Sequence, residues 1–297
     1  MARRGSTLSV LVCTWMLGAG LHAQPVTVVD AFDRTVTLPA PPQRIVTVFS
    51  SNTELVAALG LADRIVGIDA FTTYPPEIRR RPLIGGRLGM SVDTTIALRP
   101  DLVVVTPARQ AAFQLVDPME RLGVPTIVLM QRNVAEIFSN LRLLGRAVGL
   151  PERGEAVAQA LETRLARTIE EVRNLPPPSV VMIRGSVGNG LLLVAQSDSY
   201  TGDAIRLAGG RFALADPTIA EVSLEAIFDA DPDILLYAGS QKDLDDLLAQ
   251  PWWQVLRAVR LQRVYAVNRA ELLIPGPRTI SGIEHLAAIL HPRASLQ

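Results

Sequence analysis

Arginine carries nearly all of the basic chemistry in this chain, because Lys242 is its only lysine. A guanidinium offers a planar fork of donors that suits carboxylates and anionic chelates better than a point charge does. Four arginines stand out by position. Arg87 follows Gly85-Gly86, Arg109 follows a third apolar run, Arg184 ends the run Val180 to Ile183, and Arg278 closes Pro275-Gly276-Pro277-Arg278. All four sit after strand-like or glycine-turn segments, on loops able to face a cleft, whereas the other arginines read as solvated or helix-end charges. Tyr74, in Phe71-Thr72-Thr73-Tyr74-Pro75-Pro76, follows another strand-like run. In open α/β sheets such loops line the binding crevice, so Tyr74 is either a ligand contact or a loop anchor. Adjacent Trp252 and Trp253 must point in different directions, which puts one in the core and leaves the other free to meet a ligand. Sequence alone does not say which of the two faces the cleft; Trp252 and Ser51 join the ligand-binding candidates.

Other chemistries are poorly supplied. The only cysteine, Cys13, lies in an N-terminal segment with a basic start (Arg3, Arg4), an apolar run from Leu8 to Leu21 and a small-residue exit at Ala23. That pattern is a secretory signal, with cleavage expected after Ala23 and a soluble periplasmic chain beginning near Gln24. Val10-Leu11-Val12 before Cys13 lacks the small residue of a lipid-attachment box. His22 leaves with the signal, so His285 and His291 are the histidines left, and a histidine or thiolate metal site is not expected. No metal ligands and no permanently bound cofactor are assigned. Loss of Arg3 and Arg4 takes 29 basic against 29 acidic residues to 27 against 29. A net charge of about −2 gives no footprint for nucleic acid. Gly185-Ser186-Val187-Gly188-Asn189-Gly190 resembles a phosphate loop until the next segment is read. Leu191 to Ala195 is another strand rather than a helix, so Asn189-Gly190 reads as a hairpin turn. No Walker sequence and no Gly-x-Ser-x-Gly elbow is present, and a secreted α/β enzyme is the minority reading.

The elements that must position these residues alternate. After an exposed stretch from Val26 to Pro42, strands are expected at Ile45 to Phe49, Ile65 to Ile68, Leu102 to Val105 and Thr126 to Met130. Helices separate them, the first opened by Ser51 with Glu54 at capping-box spacing. Apolar strands divided by helices imply a parallel sheet covered on both faces. Asn133 with Glu136 opens another helix. Pro151 then starts a helix running to about Asn174, roughly 35 Å long at 1.5 Å per residue. A second alternating region follows Pro176-Pro177-Pro178, with strands at Val180 to Ile183, Leu191 to Ala195, Ile234 to Tyr237 and Val264 to Val267. Its helices are expected near Thr201 to Ala208, Leu244 to Leu248 and Thr279 to Leu290. The reading is two α/β lobes joined by one long helix: signal 1–23, N-terminal lobe 24–150, interlobe helix 151–175 and C-terminal lobe 176–297.

An internal echo relates the lobes. Asp93 through Val105 aligns without a gap on Glu225 through Tyr237, at an offset of 132 residues, an acid opening a short helix and Pro-Asp starting a strand in each. The acids sit where a helix N-terminus favours negative charge, so local capping explains them as readily as function does.

Taken together, several pieces resemble the substrate-binding proteins of bacterial ABC importers for iron complexes, haem and cobalamin. They are Asp30-Ala31-Phe32-Asp33-Arg34-Thr35, Pro42-Gln43-Arg44-Ile45-Val46, Thr53-Glu54-Leu55, Asp63-Arg64-Ile65-Val66-Gly67, Ala97-Leu98-Arg99-Pro100-Asp101, Ala208-Gly209-Gly210, Ser223-Leu224-Glu225 and Gly276-Pro277-Arg278. The resemblance implies a class III periplasmic binding protein: two Rossmann-like three-layer lobes on one rigid α-helix, moving little when ligand binds. It implies a monomer that is not an enzyme, whose partners are a small-molecule chelate and an inner-membrane permease dimer gripping Asp93 and Glu225. Thr72-Thr73-Tyr74-Pro75 is similar to the haem-binding branch, but Gly86 stands where that branch commonly carries a haem-ligating tyrosine. The Gly-Gly form resembles siderophore and cobalamin binders. The expected ligand is therefore a ferric siderophore first, cobalamin or haem second.

Overall fold

The computed structural model describes residues 24–106, 110–187, 190–214 and 220–292. Alternating β-branched residues near the start form a hairpin, β1 (Val26–Val29) antiparallel to β2 (Thr35–Leu38), which buries Val28, Val36 and Leu38. This corrects the exposed stretch expected there. Asp30 closes the turn: its carboxylate accepts the backbone N–H groups of Phe32 and Arg34, the Arg34 guanidinium and the N–H of Val128. Burial works against its ionisation, yet these donors hold its carboxyl below the usual range.

The N-terminal lobe follows in chain order: β3 (Ile45–Thr47), α1 (Ser50–Ala58), β4 (Ile65–Ile68), β5 (Gly85–Gly86), β6 (Gly89–Met90), α2 (Val92–Ala97), β7 (Leu102–Val105), α3 (Gln110–Arg121), β8 (Thr126–Val128) and α4 (Ala135–Ala147). Its main sheet is wholly parallel in the order β4-β3-β7-β8. Val46, Val103 and Val105 face a different core cluster from Ile45, Leu102 and Val104, so both faces of the sheet are covered, as continuous apolar strands require. Strands β5 and β6 form a separate two-stranded hairpin. A Cβ on Gly85, at φ 156°, would come within 2.3 Å of the Gly89 carbonyl oxygen, so glycine is needed to bring the two strands this close.

Helix α5 (Pro151–Val172) leads to the second lobe. There the elements are β9 (Ser179–Ser186), β10 (Leu192–Val194), α6 (Tyr200–Leu207), β11 (Arg211–Phe212), β12 (Glu221–Val222), α7 (Leu224–Ala230), β13 (Ile234–Ala238), α8 (Gln241–Leu248), α9 (Arg257–Arg260), β14 (Val264–Val267), α10 (Arg269–Leu272) and α11 (Thr279–Leu290). The sheet runs β12-β10-β9-β13-β14, with β9, β13 and β14 parallel, β10 antiparallel to β9, and short β11 alongside β9. A strand follows the glycine-rich segment, as expected, although Gly188 and Asn189 lie outside the described residues.

The echo at offset 132 extends further than the sequence showed. Ser91 and Ser223 cap α2 and α7, accepting the N–H of Thr94 and Ala226. Arg99 (φ 48°) and Asp231 (φ 33°) both take the left-handed conformation before the Pro-Asp step. Asp101 then accepts the N–H groups of Gln43 and Arg44, and Asp233 those of Ser179, each tying a strand start to its neighbour. The Ser179 backbone N–H, with its hydroxyl and Arg257, holds the Asp233 carboxyl below the usual range. A depressed carboxyl stabilises the fold above its unfolded value of about 3.9 and loses that contribution as pH falls through the folded one. Replacing it by D233A should cost about 1.5–3 kcal/mol at neutral pH. Urea unfolding should show the gap between D233A and the parent closing as the medium is acidified below that value; a constant gap would show that the ionised form is not what matters.

Candidate ligand-binding cleft

Parallel strands deliver their following loops to one edge, and a cleft of about 670 Å³ opens where the two lobes bring those edges together. One wall begins after β3, where the chain turns through Phe49 at φ 74°, ψ 142°, a conformation rare for a residue with a side chain. Buried Asp69, just after β4, imposes it. Its carboxylate accepts the N–H of Phe49 at 2.6 Å, the N–H of Phe71 at 2.8 Å and the Thr72 hydroxyl at 2.9 Å. The Ser50 hydroxyl adds a bond to the Phe71 carbonyl. Phe49, Ser50, Ser51 and Phe71 thereby reach the cleft together. Helix α1 starts at Ser50 with no side-chain cap, which corrects the capping box expected from Ser51 and Glu54. The Asn133 side-chain oxygen does accept the N–H of Glu136, as expected.

The floor is polar and self-satisfied. Asn52 bonds back to the Val48 carbonyl, its side-chain oxygen accepts from the Gln131 amide, and the single Thr106 hydroxyl proton is shared between the side-chain oxygens of Asn52 and Gln131. Opposite stand Arg184 at β9, Tyr200 at the first turn of α6, Arg269 of α10 and the apolar run Leu273, Ile274 and Pro275. The Arg269 guanidinium donates to the carbonyls of Arg184 and Ala238. Arg184 Nε is buried with no hydrogen-bond partner among the described residues, which leaves a donor uncompensated at this wall. Burial pushes the Tyr200 phenol up, against the pull of Arg184 and Arg269. Arg132 enters from the first lobe, paired with Glu136. Three guanidinium groups thus stand around an apolar and aromatic surface, Arg132 paired with Glu136 and Arg269 with two carbonyls. Among the described residues no group of three or more His, Cys, Asp or Glu is placed to hold a metal ion. His285 bonds Glu271 and His291 faces the Gly209 carbonyl.

The residues singled out from sequence are distributed unevenly. Ser51 and Arg184 line the cleft. Tyr74 and Arg278 lie together, the guanidinium 4.0 Å from the ring centroid, but Arg278 is engaged by Glu54. Arg87 is exposed on the β5–β6 hairpin. Trp252 is half exposed in the short turn Pro251–Val255, and Trp253 behind it is buried edge-on to Phe228. That turn joins α8 to α9, at the end of the sheet where β13 and β14 begin, because Arg257 beside it pairs with Asp231 and Asp233. Trp252 is therefore remote from the cleft. Arg109 lies outside the described residues. Asp93 and Glu225 are exposed in the first turns of α2 and α7. The sequence reading missed Phe49, Gln131, Arg132, Tyr200 and Arg269. Phe49, Arg132 and Arg269 follow β3, β8 and β14, so the strand-end rule that selected Arg184 would have found all three; nothing local marks Tyr200.

Residues 45–270 match the family model described as periplasmic binding protein. The chain belongs to that family. The binding protein is 26% identical over 273 residues to an uncharacterised ABC transporter substrate-binding lipoprotein of Bacillus subtilis, covering 90% of this chain and 86% of the relative. It is 24% identical to a vitamin B12-binding protein of Vibrio parahaemolyticus, over 85% of this chain and 92% of that protein. Among solved structures, the periplasmic heme-binding protein RhuT of Roseiflexus in apo form superimposes with a TM-score of 0.73 at 30% identity, covering 85% of this chain and 99% of that one. These relatives are named as substrate-binding proteins rather than enzymes, and the fold is the two-lobed class III form. No helix among the described residues is long and apolar enough to cross a membrane. Since Asp69 ties Phe49 to the loop at Phe71 and Thr72, D69A should lower stability by about 1–3 kcal/mol and weaken ligand binding as well. Calorimetry of D69A with and without ligand checks this; wild-type affinity would show that the Phe49 wall does not contact the ligand.

Proposed function

We propose that this periplasmic binding protein captures a metal tetrapyrrole with an acidic edge, haem before cobalamin, and delivers it to an inner-membrane ABC permease. The observation that carries the reading is Tyr200, a cleft-lining residue whose buried phenol feels the charges of Arg184 and Arg269. Ferric haem takes a tyrosine oxygen as axial ligand in known chemistry, and neighbouring guanidinium charge favours the phenolate that burial opposes. Tyr200 offers from the second lobe the kind of group that Gly86 does not offer on the first. Phe49, Phe71 and Met130 supply apolar surface for the ring, and Arg132 a further cation for its carboxylates. The resemblance to the Roseiflexus protein supports haem. Cobalamin is the second reading, favoured by the Vibrio relative; it needs no protein atom on its cobalt. A ferric siderophore shares the anionic edge but has no support from Tyr200.

Titration of the purified protein with haemin and with cyanocobalamin separates these readings. Haemin should bind with a tyrosinate-to-iron charge-transfer band that Y200F removes, and R184A or R269A should each weaken it by about 1.5–3 kcal/mol. Tight cyanocobalamin binding with no response to haemin would move the assignment to the corrinoid.

Delivery would rest on Asp93 and Glu225, one exposed acid at the start of a short helix on each lobe. The Ser223 hydroxyl holds the Glu225 carboxyl below the usual range, so its charge persists at the surface. Two like charges on two lobes suit a two-subunit permease with basic contacts. The double variant D93R/E225R should keep full ligand affinity in solution while abolishing uptake by cells; normal uptake would reduce both acids to helix caps.

A further inference from the structure

Glu54 lies in α1 three residues beyond Ser51, with its side chain 1% exposed. Its carboxylate is met by the guanidinium of Arg278, 224 residues away on the other lobe, through Nε at 3.0 Å and Nη2 at 2.5 Å. The outer face of that guanidinium is covered by the Tyr74 ring at 4.0 Å. Arg278 stands immediately before α11, just after Ile274 and Pro275 of the cleft wall. Between them Gly276 leaves the necessary room, since a Cβ there would lie 3.1 Å from Glu54 Oε2. Burial pushes the Glu54 carboxyl up, and the Arg278 guanidinium opposes that rise.

We infer that Glu54, Arg278 and Tyr74 form an interlobe latch that sets the spacing of the two cleft walls and so determines which ligands fit. The pair joins Ser50 and Ser51, one turn before Glu54, to Ile274 and Pro275, one turn before Arg278. A bidentate ion pair fixes distance and orientation together, which a lone apolar contact does not. A buried pair is poor evidence for stability but is suited to specifying one arrangement. Asp203 of α6 also accepts the N–H of Val134 before α4, a second polar tie between the lobes. Arg278 and Tyr74 thus act on ligand through wall position, not through contact with it.

The latch is tested in the full chain with Cys13→Ser, which leaves no native cysteine, and spin labels at T94C and D229C on the two lobes. In ligand-free protein the parent should give one narrow distance, and E54Q a broader one with affinity for haemin or cyanocobalamin about tenfold weaker. Because E54Q leaves the buried Arg278 guanidinium without a counter-charge and can fail to fold, E54M/R278M is the companion variant; apolar replacement of both partners restores stability in comparable pairs. It should melt near the parent yet keep the broad distance and the weakened binding. A narrow parental distance and parental affinity in E54M/R278M would overturn the latch. The distance measurement contains no ligand, so it decides the latch even if neither haemin nor cyanocobalamin binds the parent, an outcome that would instead overturn the proposed function.

Discussion

The close packing of α4 on α5 is the contact on which the rest of the molecule depends. A Cβ on Gly145 would lie 2.7 Å from the Gly154 Cα, and one on Gly154 would lie 2.8 Å from the Leu141 carbonyl oxygen. With no side chains in the way, the two backbones meet, and Arg142 closes the seam with bidentate bonds to Glu155 and Glu162. Farther along the same helix, Arg164 reaches Glu284 and Ser281 of α11. One helix is therefore fastened to both lobes by different residues. A single apolar cluster runs from Val28 and Leu38 through Leu161, Leu165 and Val172 to Leu286 and Leu290. Close-packed interiors have low compressibility, so lobes sharing one core behave as a frame more than as a hinge.

A rigid frame changes what the cleft has to do. Where lobes swing shut, the ligand can be surrounded after it arrives; here the walls must already be close to their binding positions. The strained turn at Phe49, tied through Asp69 to Phe71 and Thr72, and the self-bonded floor of Asn52, Thr106 and Gln131 are preorganised in that sense. So is the second wall, where Arg269 is oriented by two backbone carbonyls. The uncompensated Nε of Arg184 is the place where the wall is incomplete without a partner, and it lies beside Tyr200.

The two lobes solve their local problems in the same way. Serine caps, left-handed residues and Pro-Asp strand starts recur at one offset, and both lobes present an acid at the same helical position. The lobes differ where the ligand would sit. Phe49 and Asp69 shape the first wall, whereas Tyr200 and two arginines shape the second. Frame and cleft have thus diverged within one architecture.

Much of this was legible in the residues themselves. Ile65 to Ile68, Leu102 to Val105, Val264 to Val267 and Thr279 to Leu290 were delimited correctly, because apolar runs with turn residues at each end depend on local rules. The offset of 132 residues could be read for the same reason. The β1–β2 hairpin was missed, since its short alternating strands bury one face only when α4 and β8 lie beneath them. The fate of Glu54 was also invisible. Capping-box spacing assigned it to the N–H groups of its own helix, but tertiary packing brought Arg278 within reach, and a buried carboxylate gains more from a guanidinium than from a helix start. Arg278 and Trp252 were selected as cleft residues from local position and type, which carry no information on what lies opposite. Sequence determined the elements, their order and the family resemblance, all set by short-range pattern. Which side chains share the cleft was decided by the packing of two distant halves of the chain against α5, and no local pattern encodes that approach.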